Sequence, residues 1–219
     1  MTRRHTLLLA ILAAFGPVVF LVSEAISAIG WTAGTYDYGH NFISDLGTRV
    51  CTSDFGGRAM CSPLWPVMTF GFVAMGAAVM TTMLLLARTL TTGRRITVSA
   101  LGVSVLLGML LVAIFPGGIE SVANGTIALH ALGAVIAITA GNTLGLVLGT
   151  ARTQLGFPRW YGYVIPIIGG IGLVGLVFTV VEQPIADPAI FERIAVYAIF
   201  TWQLLTSALL FRRAASRER

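Results

Sequence analysis

The chain has 219 residues, of which 56% are apolar and 11% charged, against about 25% charged in an ordinary soluble domain. Its fourteen basic residues are all arginine, its acids number nine, and the formal net charge is +5. Such a composition excludes a normal solvated surface, and the length leaves no room for a second domain once the apolar stretches are counted.

Six apolar stretches follow one another: Leu7–Gly30, Leu64–Ala87, Ile96–Phe115, Thr126–Gly149, Tyr161–Val181 and Phe191–Phe211. Each holds roughly twenty residues or more, enough at about 1.5 Å per residue to cross a hydrocarbon layer of about 30 Å. The sequence therefore predicts an all-α, polytopic transmembrane helix bundle of six spans, built as a single domain over residues 1–219. Residues 31–63 form the long connection.

The first stretch, preceded by Arg3, Arg4 and His5, has some features of a cleaved signal peptide. Its apolar run is too long for one and Glu24 lies where a cleavage region is neutral, so an uncleaved first helix is expected. Arg3, Arg4, Arg88, Arg94, Arg95, Arg152 and Arg159 fall at one side of the spans, with the C-terminal arginines Arg212, Arg213, Arg217 and Arg219. Arg49, Arg58 and Arg193 fall at the other. By the positive-inside rule both termini are expected in the cytoplasm of a cell membrane, and the 31–63 connection outside. The arginines then meet anionic lipid headgroups, so the basic charge implies membrane lipids as partners and no nucleic acid.

The 31–63 connection contains Cys51 and Cys61, the two cysteines of the chain. Placed outside, in an oxidising compartment, they are expected to pair and staple the loop. A two-thiolate metal site lacks the usual CxxC or histidine spacing. In the same loop, Ser44-Asp45-Leu46-Gly47 reads either as a turn, with Ser and Asp oxygens accepting backbone amides and Gly47 free to take positive φ, or as part of a site. In the second reading His40 and Asp45, five apart, share a helical face and bind a metal or relay a proton.

Phe115-Pro116-Gly117-Gly118 ends the third stretch, and Asn124 or Thr126 is placed to cap the fourth, which sets His130 about one turn inside it. An ionisable group at that depth marks either a functional site or a neutral histidine bonded to a neighbouring helix. Glu24 falls at a similar depth in the first stretch. Glu192 enters with the sixth, where pairing with Arg193 or Arg49 makes it a structural ion pair. Glu24, His40, Asp45, His130 and Glu192 thus share one third of the membrane depth and are expected to gather in a polar pocket.

Asn142 and Gln203 lie near the midplane and suit interhelical hydrogen bonds. Gly141, Gly145 and Gly149 recur every four residues and permit close helix approach, within the chain or in a homo-oligomer. Gly169, Gly170 and Gly172, with Pro166, favour a softened or kinked fifth span.

The Asn41-Phe42-Ile43-Ser44-Asp45-Leu46-Gly47 segment, the Phe115-Pro116 exit and the histidine at 130 resemble a family of prokaryotic membrane proteins of about six spans, catalogued as domain of unknown function 998. The resemblance covers nearly the whole chain. It implies a membrane fold and no particular activity.

Walker, dinucleotide, HExxH, CxxCH and GxSxG motifs are missing from the sequence, which argues against nucleotide-driven machines and standard membrane proteases. Three function classes follow from the residues. One is an enzyme whose outward pocket acts on a lipid or envelope precursor, with Asp45, His130 and Glu24 as catalytic groups, or with His40, Asp45 and His130 holding a divalent metal. A proton-coupled permease, with Glu24 and His130 exchanging a proton, is the second. The third is an accessory protein with a membrane-protein partner.

Overall fold

The computed structural model describes residues 2–181 and 184–216; Glu182, Arg217, Glu218 and Arg219 lie outside them. The elements run α1 (Arg3–Ile29), a 3₁₀ turn (Ser44–Gly47), β1 (Thr52–Phe55), β2 (Arg58–Met60), α2 (Trp65–Ala87), α3 (Thr92–Ile114), α4 (Ile119–Ala123), α5 (Ile127–Thr150), α6 (Arg152–Leu155), α7 (Tyr161–Val180) and α8 (Pro188–Ala215). Among the described residues six helices, α1, α2, α3, α5, α7 and α8, are long and apolar enough to cross a membrane. The protein is a multi-pass helical membrane bundle. Among the described residues the one departure from an all-α chain is the two-stranded antiparallel hairpin β1–β2, inside the long loop.

Local chemistry sets the helix starts. Thr2 caps α1 by accepting the His5 amide, and the Asp187 carboxylate accepts the Ala189 amide at 2.9 Å where Pro188, which has no amide to satisfy, opens α8. Thr126 precedes α5 without a side-chain cap. Instead Asn124 Oδ1 accepts both the amide and the hydroxyl of Thr126, at 3.0 and 2.6 Å. Gly118 takes φ +116° at the start of α4, a conformation that L side chains rarely adopt.

The six long helices form a closed ring in which α1 packs on α2, α2 on α3, α3 on α5, α5 on α7, α7 on α8, and α8 back on α1, with α5 also touching α8 across the ring. Lipid is as apolar as leucine, so packing and interhelical hydrogen bonds hold such helices together more than burial from water does. Close approach is visible at Gly108 and Gly133: a Cβ on Gly108 lies 2.6 Å from Gly133 O, and one on Gly133 lies 2.8 Å from Gly108 O. The glycine row of α5 serves the same end within the chain. Gly141 faces Ile199 of α8, Gly145 faces Ile165 and Gly169 of α7, and Gly149 receives the ring of Pro166.

The polar midplane residues differ in their bonding. Asn142 Nδ2 donates to Ala195 O across the α5–α8 contact and to Ile138 O, both at 3.0 Å. Gln203 Nε2 and Asn142 Oδ1 are buried without a hydrogen-bond partner among the described residues.

The long loop closes one end of the ring as a folded plug. Ile43, Leu46 and Met60 are buried, and the 3₁₀ turn rests on α1 and α2. Cys51 and Cys61 are disulfide-bonded, which ties the two ends of the hairpin together. Within the plug Ser62 Oγ donates to Leu46 O at 2.7 Å, and Thr48 Oγ1 ties it to the ring by donating to Gly117 O at 3.2 Å, while Ser27 Oγ of α1 donates at 3.2 Å to Leu64 O, where the loop meets α2.

Candidate functional site

The plug and the adjoining helix ends carry two polar clusters. The first centres on Arg193, one turn into α8 and buried. Its guanidinium donates to Asn41 O at 2.6 Å, to Ala189 O at 3.3 Å and to the Tyr36 hydroxyl, and it stands over the rings of Tyr36 and Tyr38 at 5.5 and 5.2 Å. Glu24 of α1 lies 3.7 Å from Arg193 Nη2 and accepts the Tyr197 hydroxyl at 2.9 Å on both carboxylate oxygens. An acid inside a bundle needs such partners. The cluster joins α1, α8 and the loop, and its aromatic packing explains why burial pushes the Tyr36 and Tyr38 hydroxyls above the usual phenol range.

The second cluster lines a cleft of about 240 Å³ between the plug, α5, α7 and the start of α8. Ser44, Asp45, Arg58, His130 and Glu192 contribute its polar end. Ala131, Val135, Ile138, Leu176 and Val180 form much of its apolar wall. Val135 and Val180 are themselves exposed on the flank of the bundle, so the cleft opens sideways, between α5 and α7.

The hairpin positions Arg58, whose Nε donates to Asp45 Oδ2 at 3.2 Å and whose guanidinium covers the Phe42 ring at 4.6 Å. The Phe42 amide also donates to Asp45 Oδ2, at 2.9 Å. This is the side-chain-capped turn expected of Ser44–Gly47. Gly47, however, has no positive φ; a Cβ there meets the Phe72 ring at 3.1 Å, so close approach is its constraint. Burial nevertheless raises Asp45 above the ordinary carboxylate range, against the lowering by Arg58 and the Phe42 amide.

His130 is buried, and its Nδ1 lies 2.9 Å from Phe115 O. A carbonyl only accepts, so Nδ1 carries the proton and, in the neutral ring, Nε2 holds the lone pair. Among the described residues no protein group is hydrogen-bonded to Nε2. Glu192 accepts the Ile43 amide and a hydrogen bond from Ser44. It thus grips the plug and does not pair with Arg49, which donates to Ala113 O and Ile114 O and covers Trp65.

Of the five groups expected to gather, Asp45, His130 and Glu192 share the cleft, while Glu24 belongs to the Arg193 cluster. His40 is in neither. Residues 40 and 45 do not share a helix, since the 3₁₀ turn begins at Ser44, and His40 instead pairs with Asp187 at 2.7 Å with its side chain 51% exposed. The set His40, Asp45 and His130 is therefore not assembled. Among the described residues no three His, Cys, Asp or Glu side chains are placed to hold a metal ion.

Arg58 and Tyr197 join the two clusters without being marked as site residues by the sequence. Arg58 lies thirteen positions from Asp45, and its one sequence signal is that of an arginine among the acids of the outer loop. Tyr197 is one helical turn beyond Arg193, a spacing that places both on one face of α8.

No curated protein and no solved structure gives a significant match to this chain. A family of proteins of unknown function matches residues 14–209, which takes in all of both clusters and most of every long helix. This multi-pass membrane protein belongs to that family, DUF998.

Proposed function

We propose that the chain lies in a cell membrane with both termini cytoplasmic, and that its cleft faces outward and acts on a lipid or envelope precursor. The orientation is supported by the arginines. Arg88, Arg94, Arg95, Arg152, Arg159, Arg212 and Arg213 flank the helix ends opposite the plug, as the positive-inside rule requires of the cytoplasmic side. Arg49, Arg58 and Arg193 at the plug end are each engaged by acceptors or rings of the protein itself.

One observation carries the functional reading. Asp45, His130 and Glu192, from three distant parts of the chain, line one cleft whose other wall is apolar and opens on the flank. An amphipathic substrate enters such a cleft from the bilayer without crossing water. His130 Nε2 serves as the base that takes a proton from a bound hydroxyl or water, with Phe115 O fixing its tautomer. Asp45 and Arg58 form the polar end that orients the head. Glu24 acts at a distance, by holding Arg193 and so the loop.

The permease reading has less support, because Glu24 and His130 belong to different clusters. The test is lipid turnover in vesicles made from host-cell lipids. Wild type is expected to change the lipid profile relative to empty vesicles, and His130→Ala to slow that change by about 10²-fold or more. Identical profiles for empty, wild-type and variant vesicles overturn the proposal.

A further inference from the structure

The cleft continues past its mouth. Ser44, Ala134, Ile138 and Glu192 line both the cleft and a second chamber of about 30 Å³ inside the ring. Phe20, Phe72, Met109 and Val112, from α1, α2 and α3, form the far wall of that chamber. A single water needs about 10–15 Å³ measured in this way, so the chamber holds only a chain end, whereas the cleft holds a longer stretch. The path thus runs from the bilayer flank, past Val180 and Val135, to the interior at Met109, with its polar groups gathered at the plug.

Those polar groups select the head. Arg58 uses Nε on Asp45, and among the described residues its two terminal nitrogens donate to no protein acceptor. His130 offers a lone pair at Nε2. Donor and acceptor together suit a hydroxyl, which gives one hydrogen bond and accepts another. Among the described residues Arg58 is the one cation in the cleft lining and is already paired with Asp45 at 3.2 Å, so no uncompensated positive charge faces the cleft to hold a phosphate head.

We infer that the cleft takes a bilayer lipid with an uncharged hydroxylated head, which enters sideways between α5 and α7 with its head at Arg58 and His130 and the end of one chain in the chamber by Met109. The inference rests on reading the cleft as the substrate site, but binding is measured without turnover, so each reading fails by its own result. A labelled chamber with no change in lipid profile sinks the enzyme alone. Turnover dependent on His130 with an unlabelled chamber sinks the chain path alone.

The experiment uses the full chain in phosphatidylcholine nanodiscs containing a trace of diacylglycerol with a photoreactive group at the end of one chain. Parallel discs contain phosphatidic acid with the same labelled chain. Diacylglycerol is expected to label Met109, Val112 and Ile138 severalfold more than the exposed Ile167 and Ile171 of α7. Ala134→Phe, at the neck between the two spaces, is expected to abolish labelling of Met109 and Val112 and leave that of Ile167 unchanged. Thr179→Phe, at the half-buried mouth, gives the same result where the neck variant does not fold. Labelling of Met109 and Val112 no stronger than of Ile167, or equally strong with phosphatidic acid, overturns the inference.

Discussion

Arg193 and Glu24 lie 3.7 Å apart although 168 residues of chain separate them, and the same guanidinium binds Asn41 O of the loop. One side chain therefore fastens the last long helix to the first and fastens the plug to both. Removing it leaves Glu24 with Tyr197 as its hydrogen-bond donor and leaves Asn41 O unpaired. Breaking a buried pair from one side costs about 3–5 kcal/mol. Arg193→Ala is expected to lower thermal stability by that order and to speed hydrogen exchange in residues 31–63. Arg193→Lys is expected to rescue it only in part, since one ammonium lacks the planar fork that reaches Asn41, Tyr36 and Glu24 together. Equal exchange in the loop of wild type and Arg193→Ala would remove the clamp from this account.

Asp45 sets a pH dependence of opposite sense to that of most paired carboxylates. Its folded-state pKa is raised by burial, so the folded loop holds the proton more tightly than the unfolded chain does. The stability it contributes is full below the ordinary aspartate range and is lost as pH rises through the raised folded value. Melting in detergent is expected to show the loop weakening as pH rises above the ordinary aspartate range. Asp45→Asn is expected to flatten that trend. An unchanged slope in the variant assigns it to another group.

His40 is a contrasting case, with half its side chain exposed and one partner, Asp187, at 2.7 Å. An exposed pair contributes about 0–1 kcal/mol. His40→Ala is expected to leave melting within that range and to leave lipid turnover unchanged, whereas His130→Ala is expected to slow turnover about 10²-fold or more in folded protein. Equal loss of turnover in both variants returns His40 to the site.

Gly108 and Gly133 bring α3 and α5 together at backbone distance. Because each would-be Cβ meets backbone carbonyl, no side chain can move aside to receive it. Gly133→Ala is expected to destabilise the bundle by about 1–3 kcal/mol, read as a lower melting temperature in detergent with helix content unchanged. Gly93, beside which nothing lies within 4 Å, is the control: Gly93→Ala is expected to leave melting unchanged or raise it slightly.

Orientation is measured apart from function. After reduction in sealed vesicles, under denaturing conditions that keep the bilayer intact, Cys51 and Cys61 are expected to react with a membrane-impermeant thiol reagent added outside. A cysteine introduced as Arg94→Cys in a background lacking both native cysteines is expected to stay unreacted until the vesicles are opened. The reverse pattern inverts the topology.

By itself the sequence determined six spans, the special status of the loop and the pairing of its two cysteines. These are properties of runs and ends: an apolar stretch of twenty residues must be a helix in a bilayer, because every backbone polar group there needs an internal partner. It also placed Asp45, His130 and Glu192 at a common depth, since 1.5 Å per residue converts position into depth. What depth does not give is azimuth, and azimuth decides partners. Whether Glu24 meets Arg193 or His130, and whether His40 turns to Asp45 or to Asp187, depends on which helices neighbour one another and how each is rotated. Those are set by the packing of glycines such as Gly108, Gly133 and Gly149 against distant backbone and rings, an interaction summed over the whole ring. Only the tertiary structure therefore separated the clamp at Arg193 from the cleft at His130, and only it brought Arg58 to Asp45 through a hairpin.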